Sequence, residues 1–130
     1  MNRTVLSIPE PKNFLGRQYQ PNGRAEMNAD TLGEIIATRK LYYFDDTNQK
    51  RIVSVFVGKP EAVPDSSDYQ CPFQLVGIGT QDIHSARGRD SIQALQAALI
   101  LVAASVNHLN DQLGRKLIWD NGIRGELGFP

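Results

Sequence analysis

The stretch "GRDSIQALQAALILV", residues 88–102, decides the fold, because it joins the end of a strand to a long helix. Asp90 followed by Gln93 matches a capping box, in which both side chains satisfy free backbone N–H groups at a helix start. Apolar residues then alternate at spacings of three and four, as expected for one buried helix stripe. They are Ile92, Leu95, Leu99, Val102, Val106, Leu109 and Leu113. With Gly114 as a C-terminal cap, the pattern predicts one helix over about 90–113.

Segments rich in β-branched and aromatic residues surround this helix and predict strands. The predicted strands cover residues 33–44, 51–60, 69–79 and 80–88 before the helix and 116–120 after it. The turn "DDTNQK" (45–50) predicts a hairpin, and "EAVPDSSD" (61–68) predicts a polar loop. Pro72 lacks a ladder donor, which predicts an edge or bulged position in its strand.

The predicted order of four strands, a helix and a strand indicates an α+β fold. We expect an antiparallel sheet of four to five strands with the long helix packed on one face. Alanines flank the apolar stripe and allow neighbouring backbone to approach closely. Residues 1–32, with three prolines, predict an irregular N-terminal arm in which only residues 4–8 suggest a strand. Residues 33–130 then form a single domain.

Composition narrows the classes of function. The chain has 130 residues and a formal net charge of zero, with 14 basic and 14 acidic side chains. A dedicated nucleic-acid binder usually carries a basic excess, so no nucleic-acid partner is expected. The single cysteine forms no intrachain disulfide. The N-terminus lacks a long apolar core, and the apolar run 97–104 is too short for a membrane span, so we expect a cytoplasmic protein without a membrane partner.

The glycine at the helix start lies between Arg87 and Arg89, and cations beside a helix N-terminus can hold an anion. The capping carboxylate of Asp90, however, takes the place that an external anion would use. The sequence contains no P-loop motif. The pattern therefore favours a structural joint over an anion contact, although both arginines remain candidate binding residues.

Two sets of side chains are candidates for chemistry. Cys71 could act as a nucleophile with His84 as its base, and Asp82 could work with Arg87 and Arg89. An apolar strand is the usual setting of an inert thiol, which disfavours the first set. The cysteine and the two histidines lack a zinc-ligand spacing, and the paired aspartates lie in predicted turns. We therefore predict no catalytic residue, no metal site and no cofactor.

Four segments together resemble an uncharacterised family of small bacterial proteins. They are "VFVGKP" (55–60), "CPFQLVGIG" (71–79), "GRDSIQALQAAL" (88–99) and "LIWDNGIRGELGFP" (117–130). The shared features are a Cys-Pro-aromatic strand, an Asp-Ser-x-Gln-Ala-Leu helix start and a Gly-Phe-Pro ending. The resemblance covers about residues 33–130 and implies a fold and a bacterial origin, but no activity. Arg89 departs from the small apolar residue expected at that position.

A small neutral chain without a catalytic set is typical of a protein-binding module. An immunity or antitoxin-like protein that occludes a toxin is a concrete version, since such proteins need only a complementary surface. Besides the two arginines at the helix start, candidate binding residues near the C-terminus are Trp119, Arg124 and Phe129. The alternatives are a small enzyme and a structural homo-oligomer that pairs through the alanine-rich helix or an exposed edge strand.

Overall fold

The computed structural model describes residues 31–120 and 126–129, and in these ranges it contains six strands and one helix. The elements are β1 (Ile35–Phe44), β2 (Lys50–Gly58), β3 (Glu61–Ala62), β4 (Tyr69–Val76), β5 (Ile83–Gly88), α1 (Ser91–Gln112) and β6 (Ile118–Trp119). This arrangement confirms the predicted α+β class. The strand predicted over residues 4–8 and most of the predicted arm lie outside the described residues.

All strand pairs are antiparallel, and the sheet runs in the order β5–β4–β2–β1–β6. The short β3 pairs with the start of β4, where Glu61 faces Gln70. The predicted hairpin is confirmed by the β1–β2 pairing, in which Leu41 faces Val53. The prediction missed β3, because its two residues carry no alternating pattern and their pairing depends on a distant strand.

The hairpin turn is organised by the Asp45 side chain. Its Oδ1 atom accepts hydrogen bonds from the backbone N of Thr47 and Gln49 at 2.9 and 3.0 Å, and its Oδ2 atom pairs with Arg51 Nε at 2.7 Å. The hydrogen bond from the Thr47 hydroxyl, with those from Gln49 and Arg51, holds the pKa of Asp45 well below its usual range. The carboxylate therefore has a local structural role, as expected for a turn.

Pro72 does not lie on an edge strand, so that alternative of the prediction is wrong. Strand β4 is central, because it pairs with β2 through Phe73–Val76 and with β5 through Tyr69–Gln74. Pro72 lies in the gap where the β2 ladder stops at Phe73 and the β3 ladder has not begun. A residue without a backbone N–H is tolerated at such an interruption.

The core lies between one face of the sheet and α1, which packs on β4 and β5. Strand alternation directs the valines of β2 and the apolar residues of β4 toward the helix. The buried residues of this layer are Val53, Val55, Val57, Cys71, Phe73, Leu75, Ala86, Ala94, Ala98, Val102 and Val106. Leu41, Leu117 and Leu127 complete the cluster.

The helix packs on the sheet through most of its predicted apolar stripe, together with alanines beside that stripe. Ala94 and Ala98 are fully buried, whereas Ile92 is 67% exposed and Leu99 is 39% exposed. Val102 and Val106 are buried, and Leu95, Leu109 and Leu113 pack against the core, so the expected burial of the stripe is wrong only at Ile92 and Leu99. The small side chains of Ala94 and Ala98 allow α1 to approach the sheet closely.

Both ends of α1 are capped as predicted. Asp90 Oδ1 accepts a hydrogen bond from Gln93 N at 2.8 Å, while Gln93 Oε1 accepts from Arg89 N at 2.6 Å. The returning bond thus reaches one residue earlier than in the usual capping box. At the other end Gly114 has a φ of +74°, and Arg115 N donates to Asn110 O at 2.7 Å. These bonds form a Schellman motif.

Candidate functional site

The solvent-facing side of α1 carries an exposed apolar cluster. Ile100 is 68% exposed, and its neighbours Leu99 and Leu101 are 39% and 44% exposed. One turn of helix thus presents three consecutive large aliphatic side chains to solvent. Ile92, near the start of the helix, adds a fourth. We call the exposed side formed by Gln93, Gln96, Ile100, Ala104 and Asn107 the outer face of α1.

The outer face has no formal charge along its length. From Ser91 to Asn110 the sequence contains no Asp, Glu, Lys or Arg. By length and composition α1 could cross a membrane, since an 18-residue window has a mean hydropathy of 1.5 and only 28% of it is buried. The core helix of a soluble protein meets the same criterion, and the inner side of α1 packs on the sheet. The outer face therefore combines exposed aliphatic carbon with uncharged polar groups.

The two arginines at the helix start do not converge on one point. Arg87 lies at the end of β5, and its Nε atom is 3.8 Å from Asp68 Oδ2. Arg89 is exposed, and its backbone N–H is used by Gln93. Because the capping carboxylate of Asp90 accepts from Gln93 N, this geometry fits the structural joint better than an anion site.

Trp119 and Phe129 meet around a third residue, which the sequence analysis did not single out. The guanidinium carbon of Arg39 lies 4.3 Å from the ring centroid of Trp119 and 4.7 Å from that of Phe129. Its Nη1 atom also donates to Leu127 O at 3.1 Å. The Gly-Phe part of the C-terminal motif is thereby fastened to β1 inside the chain. Arg124, the remaining candidate, lies outside the described residues.

The thiol of Cys71 lacks the setting that a nucleophile needs. It is fully buried in the core, and its Sγ atom donates to Gly58 O at 3.3 Å. Burial raises the pKa of this thiol to about 11, so that it stays neutral at physiological pH. His84 stacks on Phe73 instead, with ring centroids 5.6 Å apart. The structure therefore does not support a Cys71–His84 catalytic pair.

The second candidate set does not assemble either. Asp82 precedes β5 and Arg87 lies near its end, so the five steps of extended strand between them place them roughly 16 Å apart. The carboxylate of Asp82 accepts a hydrogen bond from the hydroxyl of Thr80 at 2.7 Å. Within residues 31–120 and 126–129, no group of three or more His, Cys, Asp or Glu side chains is placed to hold a metal ion.

Sequence reasoning missed the outer face, although a signal was present. Leu99, Ile100, Leu101 and Val102 are four consecutive large apolar residues, and a helix cannot turn all of them toward one sheet. The stripe with spacings of three and four includes Leu99 and Val102 but leaves out Ile100 and Leu101. The contact between Arg39 and the C-terminal rings left no comparable signal, because 80 or more positions separate the partners.

Comparisons with known proteins identify a family whose function is unknown. Residues 37–130 match the family described as "Domain of unknown function (DUF6968)". No curated protein and no solved structure matches the chain. The match covers most of the chain and agrees with the expectation of an uncharacterised family.

Proposed function

We propose that this member of the DUF6968 family, whose description names no activity, is a non-enzymatic protein-binding module. Its binding surface is the outer face of α1. The observation that carries the proposal is the exposure of Ile100 between two further exposed leucines. A large exposed apolar patch on a folded domain is typical of an interaction site.

The layout of the outer face supports a protein partner. Interface centres are depleted of charge and rich in apolar area, and polar groups surround them. Here Ile100 is the apolar centre, Leu99 and Leu101 flank it on the two sides of the outer face, and the amides of Gln96 and Asn107 lie along the face on either side. Burying one such aliphatic side chain contributes about 1.5–3 kcal/mol, so a few contacts suffice for measurable binding.

An immunity or antitoxin-like role is the concrete form of this proposal. Occluding a partner needs a rigid surface, and α1 supplies one because both of its ends are capped and its inner side is packed. Such a role needs no reacting side chain. The separation of Asp82 from Arg87 and the neutral, buried thiol of Cys71 are consistent with that.

The test compares two matched substitutions. Ile100→Lys places a charge at the centre of the outer face, and Ile52→Lys places one at a 48% exposed isoleucine on β2. Ile52 alternates with the inward-facing Val53 and so lies on the opposite face of the sheet. Each tagged variant is purified from the organism that encodes the chain, together with a differently tagged wild-type copy.

A stoichiometric protein partner that stays with wild type and Ile52→Lys but is lost with Ile100→Lys supports the proposal. Either of two results overturns it. One is a partner that Ile100→Lys retains as well as wild type does. The other is a wild-type chain that binds neither another protein nor a second copy of itself. Circular dichroism on both variants establishes that the fold is intact.

A further inference from the structure

The face of the sheet opposite α1 is covered unevenly. On β1 and β2 its side chains are open to solvent, since Phe44 is 45% exposed and Ile52 is 48% exposed. On β4, in contrast, Gln70 and Gln74 are only 4% and 3% exposed. Both glutamines alternate along β4 with the core residues that face the helix, so they lie on the opposite face. One part of this face is therefore covered and the other is not.

Three buried polar atoms in the covered part have no hydrogen-bond partner within the part of the chain that the structure describes. They are Gln70 Nε2, Gln74 Oε1 and Ser85 Oγ. Ser85 pairs with Pro72 between β4 and β5, so its side chain shares the face of the two glutamines. We call the surface formed by Gln70, Pro72, Gln74 and Ser85 the polar patch. Unpaired buried donors and acceptors cost free energy, so the polar patch requires a polar occupant.

The chain enters the described structure beside the polar patch. Glu34 O accepts a hydrogen bond from Lys59 N at 2.8 Å, which places Glu34 next to the end of β2. Two residues earlier, Leu32 is buried, and a Cβ atom at Gly58 would collide with both the carbonyl of Leu32 and the ring of Pro72. Followed backward along the sequence, the chain thus passes from β1 across β2 toward β4. The residues before Leu32 are directed over β4 and β5.

We infer that residues 24–30, "RAEMNAD", lie across β4 and β5 on the polar patch and supply the missing hydrogen-bond partners. Extended backbone offers both donors and acceptors, so one segment can donate to Gln74 Oε1 and accept from Gln70 and Ser85. Adjacent strands lie about 4.8 Å apart, and extended chain spans about 3.3 Å per residue. About two to four residues before Leu32 therefore reach Ser85, and residues 24–30 are long enough to cover the whole patch.

Charge and attachment favour this occupant over a separate molecule. Arg87 pairs with Gln70 between β5 and β4 and is exposed, so it lies at the rim of the polar patch. Its Nε atom makes only a long contact of 3.8 Å with Asp68 Oδ2, and Glu26 and Asp30 bring two further carboxylates. Covalent attachment beside the patch also gives the segment a high effective concentration. The inference does not depend on the proposed function, because the outer face of α1 lies on the other side of the molecule.

Thiol cross-linking in the full chain tests the position of the segment. Ser85→Cys is combined with one cysteine placed in turn at positions 28, 29 and 30. In the control, the same three positions are combined with Ala104→Cys on the outer face of α1. The native Cys71 is buried and does not compete. We expect at least one Ser85→Cys pair to form an intramolecular disulfide rapidly, seen as the loss of two free thiols in a monomer, and the control pairs to form little.

Three results of this experiment overturn the inference. One is the absence of a disulfide from all three Ser85→Cys pairs. Another is equal cross-linking of the Ser85→Cys and Ala104→Cys pairs. The third is a disulfide-linked dimer in place of the cross-linked monomer, which would assign the patch to the segment of a second copy.

Proteolysis tests the hydrogen bonds. Trypsin cleaves after arginine, and Arg24 begins the segment. The double variant Gln70→Leu with Gln74→Leu keeps the patch filled but removes both amides, which leaves backbone groups of the segment unpaired. We expect cleavage after Arg24 to become about tenfold faster, since two hydrogen bonds are lost. Gln112→Leu, at an exposed glutamine of α1, should not change the rate.

Equal rates of cleavage in wild type and the double variant overturn the assigned hydrogen bonds. Circular dichroism on each variant establishes that the fold is intact. If the double variant does not fold, the cross-linking pairs still decide the position of the segment, because they leave both glutamines in place.

Discussion

Gly88 and Ala94 hold β5 and α1 in direct backbone contact: a Cβ atom at position 88 would lie 2.4 Å from the amide nitrogen of Ala94. The glycine between the two arginines therefore has a steric role, because a side chain at position 88 would collide with the helix backbone. It allows the last residue of β5 to pass against the first turn of the helix. The close packing of α1 on the sheet begins at this contact.

Gly88→Ala is expected to lower the free energy of unfolding by about 2 kcal/mol or more, because the added methyl group meets rigid backbone. Urea denaturation followed by circular dichroism measures the change. Gly33→Ala is the control, since φ there is +62° and an added Cβ meets nothing within 4 Å. The control should lose only about 1 kcal/mol of unfolding free energy, from the positive φ that alanine adopts with strain. Equal losses for the two variants would contradict the steric explanation.

Asn110 joins the end of α1 to the strand that follows. Its side-chain Oδ1 atom accepts a hydrogen bond from Leu117 N at 2.9 Å, and both residues are buried. Asn110→Leu removes the acceptor while keeping most of the volume, and leaves a buried N–H without a partner. We expect a loss of about 1–3 kcal/mol in urea denaturation. Gln112→Ala, an exposed amide near the same helix end, should change stability by less than about 0.5 kcal/mol.

The helix illustrates how far the sequence determines this fold. Its bounds and both caps were predictable, because capping depends on residues close together in the chain. Its orientation was predictable in outline, since five of the seven residues of the apolar stripe are buried or pack against the core. The exposure of Ile92 was not predictable, because at the start of the helix the close contact with Gly88 is made by Ala94. Periodicity identifies the side of a helix that faces a sheet, but it does not show how far along the helix the sheet covers that side.

The candidate sites show the same limit. The separation of Asp82 from Arg87 follows from strand geometry once β5 is recognised, and so was accessible from sequence. The contact of Arg39 with Trp119 depends on β6 pairing at the outer edge of β1, which no local pattern specifies. The outer face of α1 was visible only as an excess of apolar residues over those that one sheet can cover.

The packing of Arg39 against two rings predicts a specific sensitivity to substitution. Arg39→Met should destabilise the chain by about 1–2 kcal/mol, since it removes the cation–π contacts and the hydrogen bond to Leu127 O. Because Trp119 is the single tryptophan, its fluorescence should shift as well. Lys40→Met removes a cation from the neighbouring exposed position and is expected to change neither quantity. Similar shifts in the two variants would count against the stack.

Arg39→Lys separates charge from shape in the same contact. A lysine keeps the positive charge but lacks the planar guanidinium that packs against both rings. We therefore expect Arg39→Lys to resemble Arg39→Met more than wild type in urea denaturation and in tryptophan fluorescence. A lysine variant with wild-type values would mean that charge alone holds the C-terminal segment.

The buried thiol of Cys71 predicts how stability changes at alkaline pH. Burial raises its pKa from an ordinary value of 9.0 to about 11. Between these values the unfolded chain has released the thiol proton and the folded chain still binds it, so stability falls as pH rises. The loss of unfolding free energy that this thiol causes should be negligible below pH 9 and should reach about 2 kcal/mol by pH 11. Cys71→Ser keeps a donor toward Gly58 O but does not titrate there.

The difference in unfolding free energy between wild type and Cys71→Ser, measured from pH 7 to pH 11, isolates this thiol from the lysines and tyrosines that titrate in both. We expect a constant difference up to about pH 9 and a relative loss for wild type above it. At pH 8 a thiol reagent should label wild type no faster than global unfolding allows. A difference that stays constant to pH 11 would contradict the raised pKa of Cys71. Rapid labelling of the folded chain would show that the thiol is accessible, and Cys71 would again be a candidate nucleophile.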